Sequence, residues 1–353
     1  STSKNENNNE NNNQFGKSVD IYKNYMIVGS PFDSSYGQQA GTAHIFQLTD
    51  NKKGWKYDTI LYTNDTKEYD YFGWDVSIST GVVAIGAWQH DDNNYENNGA
   101  VYFFEHLRQN NKMNWKLKTK ITGQNNHEYF GTSVAFSRNG EYILVGSAGT
   151  VGYSSDTTTI GLVYVIVKSS WLNQWMIQTT LRPVDIGIYD YYGVSIAADN
   201  HVTVMGAYGH NQDSSGAAYV YSYQDSDFSQ WYIEARLIAS DASQDDYFGK
   251  SVAVYDRTVI VGATGDDDCG ISSGSAYVFR SIAGSKWTQY QKLLPPDNSA
   301  YDFFGTSLDI YQDHIVIGAD GNDGTDQTQS RTGVVFYFTR EYYYNDDDDY
   351  SYY

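Results

Sequence analysis

Cysteine and proline are nearly absent: the 353 residues hold one Cys, Cys269, and four Pro. A single thiol excludes an intramolecular disulfide framework and a cysteine-built zinc site. So few prolines exclude collagen-like and polyproline architectures. Basic residues are scarce too, with 23 Lys and Arg against 43 Asp and Glu and a formal charge of −20. A chain this acidic, without a basic tract, is repelled by phosphate, so neither nucleic acid nor an anionic membrane surface is an expected partner. No apolar run approaches the roughly 20 residues that a membrane-spanning helix needs. No secretory leader is visible, and a start at Ser1 rather than Met reads as a processed or excerpted product. The seven histidines show no zinc spacing, and no Gly-x-Ser-x-Gly elbow or phosphate-binding loop occurs, so catalysis is not expected.

Glycine and tyrosine are plentiful, at 32 and 34 residues, and both fall into a repeat. An aromatic–Gly pair recurs at Phe15-Gly16, Phe72-Gly73, Phe130-Gly131, Tyr192-Gly193, Phe248-Gly249 and Phe304-Gly305, at intervals of 57, 58, 62, 56 and 56 residues. Each pair opens a short apolar run through Ser18, Ser133, Ser195, Ser251 or Ser307, with Asp75 in the second copy. A β-branched run ending in glycine follows, as in Val259-Ile260-Val261-Gly262. After a polar loop comes a third run, such as Gly274-Ser275-Ala276-Tyr277-Val278-Phe279.

A fourth run starts at a tryptophan and reaches an aliphatic residue six positions on: Trp55/Leu61, Trp115/Ile121, Trp175/Leu181, Trp231/Leu237 and Trp287/Leu293. That even separation predicts both side chains on one face of a strand. Asn139-Gly140, linking the third copy's first two runs, predicts a type I′ hairpin. Four short strands per unit cannot bury a core alone. Antiparallel sheets packed radially can, and they limit exposed edges. The expected fold class is all-β, a six-bladed β-propeller of four-stranded antiparallel blades. A β-solenoid is the alternative, but its coils are much shorter than these units.

The aromatic–Gly pair and its Gly-Ala strand end resemble the FG-GAP repeat of integrin α-type propellers. Unit five is the nearest copy: Phe248-Gly249-Lys250-Ser251-Val252, Val261-Gly262-Ala263, then Gly274 to Phe279 and Trp287. The resemblance runs from residue 15 to about 340. It implies an extracellular or cell-surface protein used for adhesion, ligand binding or scaffolding, although a fold does not fix an activity. Integrin-type propellers usually have seven blades, and this chain supplies six units. Some of their blades carry an Asp-rich calcium loop between the first two strands, and calcium takes roughly six to eight oxygens. Here those links are tight turns such as Lys23-Asn24, so the family's calcium residues do not carry over and no cofactor is required.

Five carboxylates precede the aromatic by two positions: Asp70, Glu128, Asp190, Asp246 and Asp302. They read as acceptors of backbone N–H groups that order the loop into each blade, with a cation-collecting ring as the alternative. Asp320, Asn322 and Asp326 have calcium-like composition without EF-hand spacing, so weak calcium binding stands beside a solvated acidic loop. Trp88 and Tyr208 each follow the Gly-Ala end of a second strand, outside the once-per-unit tryptophan register. They are candidates for stacking on a sugar face, with plain packing as the other reading. Asn64-Asp65-Thr66 is an N-glycosylation sequon in an inter-unit link. Cys269 lies in an acidic loop whose carboxylates disfavour its thiolate.

Two tails flank the repeats. Residues 1–14 form an Asn-rich tail with seven Asn, residues 15–340 the propeller, and residues 341–353 a Tyr/Asp-rich tail. The sixth unit has no tryptophan-led fourth run, and Asp346 to Asp349 stand where one should begin. A sheet one strand short invites a strand from a neighbour. The expectation is a homo-oligomer or homopolymer, a filament or surface coat, with Glu341, Tyr342, Tyr343 and Tyr344 as assembly residues. Closure of the ring by its own chain ends is the other outcome. The expected function is that of an extracellular structural subunit. The alternative is an adhesion module binding a protein or glycan through loops on one propeller face.

Overall fold

A computed structural model describes residues 13–340, except 50, 93, 110–111, 150–159, 225–227, 282–285, 297–298 and 323–331. The regular structure there consists of strands in six antiparallel sheets, each built from consecutive strands of the chain. The first blade is Val19–Tyr22, Tyr25–Ser30, Thr42–Leu48 and Trp55–Leu61. Blades two to four span residues 76–122, 130–181 and 196–237. The fifth is Phe248–Tyr255, Thr258–Ala263, Ser275–Arg280 and Thr288–Leu293. The sixth has three described strands, Phe304–Tyr311, His314–Ala319 and Val334–Thr339. Its expected fourth strand, Glu341 to Tyr344 included, falls outside the described residues. The chain is a six-bladed β-propeller.

Continuous β-branched runs suit blades that are covered on both faces. In blade five, Val259 and Val261 pack with Val204, Val220 and Leu237 of blade four. Ile260, between them, points the other way and packs with Ile310 and Ile317 of blade six. Adjacent residues of one strand thus serve two different cores, as the period of two requires. First strands of neighbouring blades lie against each other around the axis, so the fourth strands lie outermost.

Two sequence expectations are corrected. Every described fourth strand carries a β-bulge at the same place. In blade three, Val165 pairs with Thr179 and Ile166 with Ile177, so Gln178 is skipped. The extra residue inverts the alternation. Trp175 therefore joins the core between blades two and three, whereas Leu181 joins the core between blades three and four. In blades two to five tryptophan and aliphatic residue lie on opposite faces and pin their blade to both neighbours, while Trp55 of blade one is exposed. The Asn139-Gly140 turn is also not type I′, because Gly140 has φ +74° while Asn139 stays out of the left-handed region. A bond from the Gly140 N–H to the Ser137 carbonyl closes a wider link instead.

Candidate functional site: the polar network at the blade ends

Blades two to six are each led in by a buried carboxylate whose neighbours explain its position. Asp70 accepts the Lys67 N–H at 2.8 Å, and Asp190 accepts that of Gly187 at 2.8 Å. Glu128 accepts from Gln124 and Asn125 at 2.6 and 2.9 Å, and Asp246 from Ser243 at 2.6 Å. The backbone between acid and aromatic is strained. Tyr71, Tyr129, Tyr191, Tyr247 and Phe303 all have φ of 54–56°, a region that side chains other than glycine rarely enter. The carboxylates order these tight loops.

Twenty residues downstream a second polar side chain meets the first. His90 Nδ1 lies 2.6 Å from Asp70, His210 Nδ1 lies 2.8 Å from Asp190, and Asn322 Nδ2 donates to Asp302 at 2.7 Å. In blade five the same offset places a second acid, Asp266. Burial, and then the charge of Asp266, push Asp246 up to about 6.

A lysine answers this surplus of acid. Lys292 Nζ sits 2.8 Å from Asp241, 2.8 Å from Asp266 and 2.6 Å from Asp268. These three carboxylates lie within 4.8 Å of one another, close enough to share a metal ion. The ammonium takes the place such an ion would need. Burial works against its charge, but the three acids outweigh burial and raise its pKa above the ordinary lysine value. In blade two Lys120 Nζ reaches Asp65 at 2.7 Å and His90 at 2.8 Å. We expect Lys292→Met to cost about 2 kcal/mol, since it strands the buried Asp266 without its counter-charge. Urea unfolding at neutral pH checks this, and an unchanged midpoint would show that the cluster needs no cation.

Trp88 and Tyr208 both sit at the end of the propeller where second strands finish, in separate aromatic groups. Trp88 stacks on Tyr71 at 5.9 Å and touches Trp74 and Tyr129, each at 5.1 Å. Tyr208 stacks on Tyr191 at 4.7 Å, and Lys250 Nζ lies 4.1 Å from its ring centroid. Both rings have aromatic neighbours and remain half-buried. Asn64 is exposed in the link between blades one and two. Asp320 is exposed and accepts from Thr306 at 3.0 Å, Asn322 is buried beside Asp302, and Asp326 lies outside the described residues. The described pair supplies at most three side-chain oxygens, two from Asp320 and one from Asn322, of the roughly six to eight that calcium takes. Cys269 is half-buried, and burial with Asp268 and Asp266 raises its thiol pKa. At the opposite end, a polar cleft of ≈ 330 Å³ is lined by Arg138, Asp199, His201 and Arg257. Arg138 spans 3.1 Å to Asp199 within it.

Sequence reasoning found the leading carboxylates but not their partners twenty residues on. The constant offset from Asp70 to His90, Asp190 to His210 and Asp302 to Asn322 was the available signal.

A radial array of four-stranded sheets, joined at a repeated aromatic–Gly step, defines a repeat propeller of the kind that typically serves as a non-catalytic interaction module. A profile of the FG-GAP repeat matches residues 7–46, 55–104, 175–221, 231–279 and 287–338, more than half of the chain. The chain belongs to the FG-GAP repeat family. The later windows begin at or near the outer-strand tryptophan of one blade and end in the third strand of the next. Sequence repeat and structural blade are therefore one strand out of step. No curated protein matches the chain. FG-GAP repeats are typical of extracellular and cell-surface proteins.

Proposed function

We propose that the chain is a non-enzymatic structural subunit of an extracellular assembly, a propeller that associates with further copies of itself. One observation carries this reading. Among the described residues the outward face of blade six is bare, with Val335 and Tyr337 exposed to 73% and 61%, whereas the corresponding Ala276 and Val278 of blade five are buried. Contiguous exposed apolar surface of this kind marks an interaction site. The exposed Asn64 is where an extracellular chain of this kind would carry a glycan. Electron microscopy and sedimentation of the full-length protein test the proposal, repeated after deletion of residues 1–14 and 341–353. Assemblies of the full-length chain are expected, and the deletions tell a tail contact, which they abolish, from a contact between blades, which they spare. A full-length chain that stays monomeric at high concentration would end it.

A further inference from the structure

Five of the six junctions between neighbouring blades are made in one way. The glycine ending a second strand lies against the backbone of the next blade's aromatic–Gly pair: Gly29 on Gly73, Gly86 on Gly131, Gly146 on Gly193, Gly206 on Gly249 and Gly262 on Gly305. Ser133, Ser195 and Ser251 reinforce three of these, donating to the carbonyls of Gly193, Gly249 and Gly305 at 2.7, 2.9 and 2.5 Å.

Among the described residues the sixth junction is not made. A Cβ at Gly318 would meet only Ser307 of its own blade, and one at Gly16 would meet nothing within 4 Å. Both facing surfaces are bare. On blade one Phe15, Val19 and Ile21 are exposed to 56%, 50% and 54%, while their counterparts Phe248, Val252 and Val254 in blade five are buried. Blade six offers Val335 and Tyr337. The two free faces therefore carry the halves of an interface that this chain already forms five times.

Strand addition at an edge would not satisfy either face. A strand added at the edge widens a sheet but leaves its face open, and covering a face takes another sheet about 10 Å away. A second blade of the same repeat supplies such a sheet with the matching side chains already in place. Among the described residues, blade one has the repeat's receiving face unoccupied. We propose that blade six of one copy docks on blade one of a second copy through this repeat interface, so that copies join head to tail. Two different patches meeting in this manner give rings or open filaments. The inference rests on the self-association proposed above and replaces tail docking with blade docking as its contact.

Two variants block one face each: Val335→Lys with Tyr337→Lys on blade six, and Val19→Lys with Ile21→Lys on blade one. All four side chains are exposed, so melting temperatures should stay near that of the native chain. In sedimentation velocity the native protein should grow with concentration, and each blocked variant should remain monomeric. An equimolar mixture should yield dimers and nothing larger, because one competent pair of faces survives. A cysteine pair gives an independent measurement in a Cys269→Ser background, with Val335→Cys and Val19→Cys oxidised in a mixture of tagged and untagged copies. Links between chains support docking, whereas links confined to one chain show that the ring closes on itself and overturn it. If the native chain and both blocked variants assemble alike, blade docking fails and self-association stands. A native chain that never exceeds a monomer removes both.

Discussion

Gly206→Ala is expected to destabilise the propeller by about 3 kcal/mol or more, at the upper end of what overpacking costs, while Gly318→Ala at the same repeat position costs less than about 1 kcal/mol. The difference is one of space, since neither glycine has a left-handed φ. A methyl at Gly206 would fall on the Gly249 carbonyl oxygen and on Ser195 Oγ, far inside van der Waals contact. That carbonyl cannot retreat easily. Gly249 has φ +96° and is itself pressed against the backbone of Ala217 and Ala207. At Gly318 the nearest atom is Ser307 Oγ at 2.5 Å, the end of a rotatable side chain. Urea midpoints of the two variants decide the matter, and equal losses would mean that the glycines are not kept for blade contact. If blades dock in trans, Gly318→Ala should also weaken assembly while barely moving the midpoint.

Much of this architecture was legible because a propeller repeats its chemistry with its geometry. The run Val259-Ile260-Val261-Gly262 shows a doubly covered strand, and the recurring Phe-Gly step marks where one blade meets the next. What misled was parity. Trp175 and Leu181 are six apart, but the bulge at Gln178 sends them to opposite faces, and no composition rule reveals a bulge at an ordinary glutamine. The turn at Asn139 failed similarly: the dipeptide favours type I′, yet the four-residue link between Ser137 and Tyr142 sets its own hydrogen bonding. The leading acids were readable as loop organisers from their spacing. Their distal partners differ in type from blade to blade, as His90, His210, Asp266 and Asn322, which hid a constant offset behind changing residues. The open junction was beyond reach. Phe15-Gly16 looks like every other aromatic–Gly pair, and only the fold shows that, among the described residues, no glycine of a neighbouring blade packs on it.

The protein is expected to be more stable near pH 5 than at pH 7.5, by about 3 kcal/mol, opposite to a protein whose acids are all favourably paired. The main sources are Asp75 and Asp246. Asp75 stands where other units have serine, wedged between blades, accepting from Ser18 Oγ at 2.6 Å and from the Val134 N–H at 2.7 Å. Burial outweighs these bonds, and with the nearby charge of Asp20 it pushes Asp75 up to about 6. Asp246 reaches about 6 by burial and by Asp266. In the native state both keep a proton that the unfolded chain releases near 3.8. Their contribution is complete below that value and is lost as pH rises through about 6, a shift worth about 3 kcal/mol for each group. Burial moves Asp20 and Asp309 the same way. His44 and His106 oppose this, because burial lowers their pKa and keeps them neutral, so their share fades as pH falls through 6.5. On the acid side Asp33, Asp65 and Glu234 are held low by hydrogen bonds that outweigh their burial, so stability falls again below about pH 4. Denaturant unfolding across this range gives the profile, and Asp75→Asn should flatten its upper limb whatever that change does to absolute stability. A midpoint that rises steadily from pH 5 to pH 7.5 would mean that these carboxylates are ionised in the folded protein.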